Sequence, residues 1–416
     1  MSSESDLDDP GLFQDDFDDS DLLSSDDEHC DEYTASREAP DLDWNYDGDD
    51  DCSEDESRLT TADDEGWHRI VGSDARPRPI PFTATPGPKH ISFNTKTPVD
   101  YFNLFFNNEL FEKIVQETNK YSDHYIANHE EYLINHPKSR VHQWIKDGHT
   151  NIREMKAFLG IIFNMGLIDK PSIESYWVTN QSNLETQWFI DHFNRNRFQL
   201  LLKFLHFNDI SPPNQEQNVL YKIQPLIDHF THYFSHNFQP SKNISLDESM
   251  IAFKGRTPHL RQYMPNKHHA RFGIKLWCVC DVATGYTCTF EIFEGKAQRP
   301  ARGNLNVTHA TTIRLLEQAG LLDLGYNVGF DNYFSSPALM LHLYQRGTTA
   351  TGTVRRNRVG LPSTLQEARL QNQETVEWRL GNLLCVKYKD GSDEPVLLST
   401  TCTAEFNEVT NRRGAL

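Results

Sequence analysis

Two adjacent carboxylates, Asp247 and Glu248, follow a short apolar run in the segment SLDESMIAFKGR, and another acid, Asp331, closes the run YNVGFD. Asp247 and Asp331 each end a predicted strand, so their carboxylates can meet at neighbouring strand ends. Hard divalent cations prefer such oxygen ligands and support in-line phosphoryl transfer. We therefore predict Asp247 and Asp331 as catalytic, metal-binding residues, with Mg²⁺ or Mn²⁺ as the cofactor. A capping role stays open, because Asp is also common as a cap at strand ends and helix starts.

Basic residues surround this acidic pair. Seven Lys and Arg stand against two acids between residues 241 and 275, and a second basic run, VRRNR (354–358), follows another predicted strand. Phosphate contacts need exposed cations at this density, and they position DNA without reading its sequence. A solvated charged loop is the alternative interpretation. The predicted DNA-contacting residues are Lys254, Arg256, Arg261, Lys267, Arg271, Lys275, Arg355 and Arg356.

The cysteines suggest neither a zinc site nor a disulfide scaffold. Cys278, Cys280 and Cys288 share a predicted hairpin, but no Cys or His spacing completes a four-ligand set, so we expect buried, reduced thiols. The seven cysteines also lack the paired spacing of a small secreted domain. The chain start has no signal-peptide pattern, and no apolar run is long enough to span a bilayer. These features predict a soluble intracellular protein without a membrane partner.

A mixed α/β architecture must position these residues. The segments 272–281 and 286–295 are rich in β-branched and aromatic residues and are joined by VATG, which predicts a hairpin. Helix, strand, helix and strand patterns follow as far as residue 355. The predicted order is β-β-α-β-α-β, a mixed sheet with helices on its faces. Residues 97–240 instead carry apolar residues at helical spacing, which predicts a mainly helical region.

The N-terminal part has a different composition. Residues 1–70 contain 27 Asp and Glu and 3 Arg, so they account for the formal net charge of −20, and the remainder is mildly basic. Like charges repel and few apolar residues offset the ordering entropy, which predicts an acidic disordered tail over 1–75. The tail could serve solubility alone, gain charge by phosphorylation of Ser25 and Ser53, or compete with nucleic acid for the basic core. An extended, semi-rigid Pro-rich linker is predicted over 76–96.

In its ordered motifs the chain resembles the piggyBac family of DNA transposases. The resemblance covers roughly 97–403 and is carried by SLDESMIAFKGRTPHLRQYMPNKHHARFGIKLW, CDVATGYTCTFEIFEGK, VGFDNYFSSPALMLHL and TGTVRRNRVGLP, with TPVDYFNLFF, MKAFLGIIFNMGL and RNRFQLLLKFLHFND upstream. It implies a helical dimerisation and DNA-binding region over 97–240. It also implies a truncated RNase H-like catalytic domain over 241–416. The implied activity is metal-dependent cutting and joining of DNA ends through hairpin intermediates, with Asp247 and Asp331 matching the first two members of an aspartate triad.

The chain departs from the family pattern near its end. The family's third aspartate lies in a Gly-Gly-Val-Asp motif, and neither that motif nor the Cys-rich zinc module of many members occurs before Leu416. Asp390 and Asp393 are poor substitutes, because they sit in the hairpin-like segment KDGSDE. We therefore expect a two-carboxylate site that holds metal weakly, in a C-terminally truncated chain whose status as an enzyme is open.

Two other interpretations remain at this point. One is a non-catalytic DNA-binding protein derived from a transposase, and the other is a fragment that does not fold alone. The expected partner is double-stranded DNA such as transposon ends, a homodimer is one option, and the expected location is the nucleus.

Overall fold

A computed structural model describes residues 66–405, except 75, 180–184, 211–218, 254–259, 265–270 and 295–306. Most of the predicted acidic tail therefore lies outside the described residues. The contacts divide the described chain into two compact units. One unit comprises Phe106–Leu226, and the other comprises residues 66–105 and 227–405.

The described part of residues 97–240 is mainly helical, which confirms that prediction. The helices are α1 (Pro98–Asn103), α2 (Asn108–Asn128), α3 (Glu130–Asn135), α4 (Val141–Asp147), α5 (Ile152–Leu167), α6 (Gln187–His192), α7 (Arg195–Phe204) and α8 (Gln224–Asn237). Thr97 and Asp100 form a reciprocal capping box that starts α1, as the Thr-Pro pair predicts.

In the first unit, α2 packs against α5 and α7. The apolar residues that recur at helical spacing form the contact, and Phe111, Phe158 and Phe198 are almost fully buried there. The Asn151 side chain caps α5 by accepting the Glu154 N–H, and the Glu154 carboxylate accepts hydrogen bonds from Arg197.

In the second unit, the described residues form one ten-stranded mixed sheet. Its strands are β1 (His68–Arg69), β4 (Asn243–Ala252), β5 (Arg261–Tyr263), β6 (Phe272–Asp281), β7 (Thr287–Ile292), β8 (Asn327–Phe330), β9 (Thr349–Val354), β10 (Thr375–Leu380), β11 (Leu383–Tyr388) and β12 (Val396–Ser399). The strand order is β1-β10-β11-β12-β9-β8-β4-β6-β5, and β7 also pairs with β6. Strands β4, β8 and β9 run parallel, and the other neighbours are antiparallel.

Two helices, α9 (Val307–Gln318) and α10 (Pro337–Gln345), connect the parallel strands. The order β6-β7-α9-β8-α10-β9 confirms the predicted β-β-α-β-α-β unit. Its core contains Leu246 and Val328 from the sheet together with Leu315 and Leu339 from the helices. A second, small sheet pairs β2 (Gly87–Pro88) with β3 (Phe238–Gln239).

The Pro-rich segment over 76–96 packs against this second unit rather than separating two parts of the chain. The Thr83 N–H donates to the Leu324 carbonyl at 3.0 Å, and the Tyr344 hydroxyl donates to the Arg78 carbonyl at 2.9 Å. A side chain at Gly325, which has a left-handed φ of 80°, would overlap the Pro81 carbonyl.

Both ends of the predicted helical region, residues 97–105 and 227–240, belong to the unit that contains the ten-stranded sheet. His229 Nε2 lies 2.7 Å from the Phe105 carbonyl oxygen, and the Tyr286 hydroxyl donates to the Phe234 carbonyl at 2.8 Å. The compact helical unit is therefore narrower than the predicted region over 97–240. None of the described helices is long and apolar enough to cross a membrane.

Candidate metal centre

The parallel pairing of β4 with β8 brings Asp247 and Asp331 together. The last paired residues are Leu246 and Phe330, both buried in the core, and each is followed directly by one of the two aspartates. Asp247 does not end its strand, as the sequence suggested, because β6 stays paired with β4 as far as Ala252. What ends at Asp247 is the pairing with β8, so the two carboxylates lie at the same edge of the parallel strands.

A third carboxylate joins this pair. Asp247, Glu248 and Asp331 each offer a carboxylate oxygen, and these three oxygens lie within 4.8 Å of one another. Neighbouring residues on a strand point to opposite faces, so Glu248 was not predicted as a ligand. The Asp247 side chain folds back along its own strand, and its Oδ1 accepts the Glu248 N–H at 2.7 Å. The expected two-carboxylate site is therefore a cluster of three.

The Asp331 side chain also organises the turn that follows it. Its Oδ1 accepts the N–H groups of Tyr333 at 3.0 Å and Phe334 at 3.4 Å, and its carbonyl accepts the Ser335 hydroxyl at 2.9 Å. Oδ2 of Asp331 and Oδ2 of Asp247 have no hydrogen-bond partner among the described residues. The capping interpretation is thus correct for one oxygen of Asp331, and the other oxygen stays available to a ligand.

Two cations contact the turn after Asp331. The buried Arg358 donates from Nη2 to the carbonyls of Asn332 at 3.1 Å and Tyr333 at 2.9 Å. The ammonium of Lys275 lies 5.1 Å from the centre of the Tyr333 ring. Arg358 belongs to the basic run VRRNR but was missed as a site residue, because a sequence cannot show which arginine of such a run points inward.

The predicted DNA-contacting residues have different surroundings. Lys254, Arg256 and Lys267 lie outside the described residues. The Arg261 guanidinium lies 4.5 Å from the centre of the Phe272 ring, and Arg271 is exposed beside it.

The remaining two follow β9. Arg355 is half-buried and has a partner, and Arg356 forms an ion pair with Glu394 at 3.3 Å. A hydrogen bond from Lys387 lowers the pKa of Glu394, and the charges of Arg356 and Lys389 add to this effect. Phosphate would have to compete with Glu394 for Arg356.

Three cysteines lie on β6 and β7, the hairpin next to the strand that carries Asp247. Cys278 lies directly across from Asp247 in the β4–β6 pairing. Burial raises the pKa of the Cys278 thiol to about 12, and the neighbouring Cys280 and Asp247 act in the same direction. Cys278, Cys280 and Cys288 are free thiols, as expected, but only Cys288 of the three is buried. A protonated thiol at neutral pH is a poor zinc ligand.

Asp390 and Asp393 do not join the cluster either. Their main-chain N–H and carbonyl groups bond to each other at 2.8 and 2.9 Å in the turn between β11 and β12. The donor set of the cluster is three carboxylates with two free oxygens, which fits a hard cation such as Mg²⁺ or Mn²⁺ better than a zinc-type ion.

Comparison with known proteins gives consistent matches. A family model described as Transposase IS4 matches residues 97–415. The "PiggyBac transposable element-derived protein 3" of Homo sapiens is 27% identical over 330 residues, which are 77% of this chain and 51% of that protein. The "PiggyBac transposable element-derived protein 2" of Homo sapiens is 28% identical over 269 residues, 63% of this chain and 40% of that protein.

A solved structure also matches. The cryo-EM structure of a piggyBac transposase synaptic complex with hairpin DNA aligns with a TM-score of 0.66 at 25% identity, and the alignment covers 80% of this chain and 66% of that one. The chain thus spans about half the length, or less, of the curated relatives it matches.

Proposed function

Since the chain belongs to the Transposase IS4 family, of piggyBac type, we propose that it carries the metal centre of a DNA-cleaving phosphoryl-transfer enzyme. The observation that carries this proposal is the convergence of Asp247, Glu248 and Asp331 within 4.8 Å at one edge of the parallel strands. The parallel strands β4, β8 and β9, with α9 and α10 on the sheet, support an RNase H-like catalytic domain.

The three carboxylates would hold Mg²⁺ or Mn²⁺, which, when bound, activates a water or hydroxyl nucleophile and stabilises the leaving oxygen. Asp247 and Asp331 each present one free carboxylate oxygen, while their Oδ1 atoms are fixed by main-chain N–H groups. Arg358 holds the turn that carries Asp331. Without a cation the three negative charges repel a phosphodiester, so metal and DNA should bind this edge cooperatively.

The proposed partner is double-stranded DNA, in line with the hairpin DNA of the structural match. Arg261 on β5, Lys275 on β6 and Arg271 just before β6 supply positive charge, and β6 pairs with the strand that carries Asp247. We extend the proposal to the nucleus as the location. A homodimer is supported by the exposed apolar side chains Phe163 and Leu167 on α5.

The test separates binding from cleavage. The full chain is assayed for duplex binding by fluorescence anisotropy at several salt concentrations, and for Mg²⁺- or Mn²⁺-dependent nicking of supercoiled plasmid. We expect Asp247→Asn and Asp331→Asn to abolish nicking and to leave duplex binding intact. Nicking that survives in the double variant would refute the assignment of these carboxylates.

A second candidate function is a non-catalytic DNA-binding protein. It is favoured by the mildly basic composition of the chain after residue 70. Salt-dependent binding of the unsubstituted chain without any nicking would support this function over catalysis.

A further inference from the structure

A groove of about 530 Å³ lies at the opposite end of the parallel strands from the acidic cluster, and we call it the amino-edge groove. Lys242 directly precedes β4, Thr349 begins β9, and Thr400 directly follows β12, which runs antiparallel to β9. Asp247 follows Lys242 by five positions, so the groove and the cluster are about 16 Å apart along the strands. The groove lining includes Arg76, Arg78, Lys242, Thr403, Cys402 and Glu405.

Three cations line the amino-edge groove, and Glu405 is the one acid among its described lining residues. The charged groups of Arg76, Arg78 and Lys242 are on exposed side chains and have no partner among the described residues. Several other arginines of the same unit are paired, Arg314 with Glu291, Arg346 with Glu317 and Asp323, and Arg356 with Glu394. Unneutralised positive charge in a concave surface focuses the potential and attracts an anion.

The main chain that carries the two arginines is held in place. The Arg78 N–H donates to Asn382 Oδ1 at 3.2 Å, and the Arg78 carbonyl accepts the Tyr344 hydroxyl at 2.9 Å. Pro77 and Pro79 flank Arg78, and each proline ring fixes its own φ. This segment therefore loses little backbone freedom when an anion binds, which lowers the entropic cost of binding.

Another wall of the groove is anchored by the buried pair of Asp74 with Arg379. The Ala404 N–H donates to Asp74 Oδ2 at 2.9 Å, and Arg379 Nη2 donates to the Cys402 carbonyl at 3.1 Å. These bonds hold this wall beside the Pro-rich segment. Thr403 adds a half-buried hydroxyl to it, and hydroxyl groups of this kind also donate to phosphate oxygens.

We propose that the amino-edge groove contacts the phosphodiester backbone of double-stranded DNA, on a surface separate from the predicted contacts on β5 and β6. This inference rests on the proposed function, which makes duplex DNA the partner. An open groove with exposed cations fits a polyanion better than a small ligand, because small-ligand sites are mostly apolar. A separation of about 16 Å equals about five base-pair steps of B-DNA, so one duplex is long enough to reach both the groove and the cluster.

The first experiment measures the affinity of the full chain for a fluorescent duplex by anisotropy between 0.05 and about 0.3 M salt. The combined substitution Arg76→Ala with Arg78→Ala should weaken binding at least about tenfold at 0.1 M salt and lower the slope of log affinity against log salt by about 2. Lys242→Ala should lower the slope by about 1.

Two charge variants serve as controls, and circular dichroism shows whether each variant is folded. Arg369→Ala removes an exposed arginine of the same unit outside the groove lining, so the affinity should change by less than about twofold. Glu405→Gln removes the acid of the groove and should act in the opposite direction, strengthening duplex binding by about twofold.

Cys402 gives a second readout in the unsubstituted chain, because its free thiol is exposed in the groove lining. A saturating duplex should slow alkylation of Cys402 by iodoacetamide about fivefold or more, measured by peptide mass spectrometry. If the acidic segment before residue 66 filled the groove instead, Cys402 would react more slowly at low salt than at high salt without DNA. Duplex would then leave that rate unchanged, which would overturn the proposal.

The results distinguish the groove from the metal centre. Unchanged duplex affinity and salt slope in the arginine and Lys242→Ala variants would overturn the groove, while loss of nicking in Asp331→Asn would still support the metal centre. Weaker duplex binding in the groove variants of a chain that shows no nicking would support the groove and count against catalysis. Absence of duplex binding by the unsubstituted chain would overturn the groove together with DNA as the partner.

Discussion

Arg358 is the residue whose removal tests the architecture of the site most sharply. Its side chain is buried, with 5% of the residue exposed, and Nη2 donates to the carbonyls of Asn332 and Tyr333 in the turn that carries Asp331. Hydrogen bonds from a charged donor contribute about 1.5–3 kcal/mol each, which gives about 3–6 kcal/mol for the two. Relief of a buried charge offsets part of this, so Arg358→Ala should lower the free energy of unfolding by about 2–4 kcal/mol.

The same substitution should weaken metal binding. Side chains that orient metal ligands without touching the ion typically contribute about 10–100-fold to metal affinity. We therefore expect Arg358→Ala to weaken Mn²⁺ binding by at least about tenfold, measured by calorimetric titration of the folded variant at pH 7.5. Arg358→Lys should recover stability only in part, because a single ammonium does not reproduce the geometry of the guanidinium.

Arg356 supplies the matched control two residues earlier in the same basic run. It is exposed and pairs with Glu394 at the surface, and surface ion pairs contribute about 0–1 kcal/mol. Arg356→Ala should therefore change neither stability nor Mn²⁺ affinity appreciably. A folded Arg358→Ala variant that binds Mn²⁺ within twofold of the unsubstituted chain would refute the positioning role.

Two other predictions concern stability. Burial, with His342 beside it, lowers the pKa of His309 from 6.5 to about 4, so the unfolded chain binds the proton more readily. This contribution to stability is fully present above pH 6.5 and is lost as the pH falls, by about 2 kcal/mol at pH 5. Urea unfolding at pH 7.5 and pH 5 measures this loss, and His309→Gln should make the loss smaller. Asp74 and Arg379 form a nearly fully buried ion pair. Asp74→Ala should therefore lower the free energy of unfolding by about 3–5 kcal/mol, measured by chemical denaturation. A decrease below about 1 kcal/mol would contradict a stabilising role for this pair.

The parts of the fold that follow from local patterns could be predicted. The alternation in β6 and β7, the Ser336 cap with Pro337, and the short apolar runs of β8 and β9 each depend on a few neighbouring residues. Asp247 and Asp331 could be paired because acids after neighbouring parallel strands meet at one edge. The hairpin of β10 and β11 was missed although Gly381-Asn382, a two-residue turn signal, lies between them.

Other features depend on contacts that no local pattern encodes. Glu248 joins the cluster against the strand alternation that would direct it away from Asp247. Arg358 is distinguished from Arg356 by the packing around it, which the sequence does not show. The Pro-rich segment is held in position by single hydrogen bonds, such as the one from the Thr83 N–H to the Leu324 carbonyl. These contacts become visible only once distant segments are placed in three dimensions.

Mn²⁺ titration of the full chain tests directly whether Asp247, Glu248 and Asp331 form one metal centre. Electron paramagnetic resonance at pH 7.5 reports free Mn²⁺ for the unsubstituted chain and for the Asp247→Asn, Glu248→Gln and Asp331→Asn variants. We expect each of the three substitutions to weaken the same site by about tenfold or more, and Asp390→Asn, an acid outside the cluster, to leave it unchanged. Unchanged Mn²⁺ affinity in all three cluster variants would contradict the account.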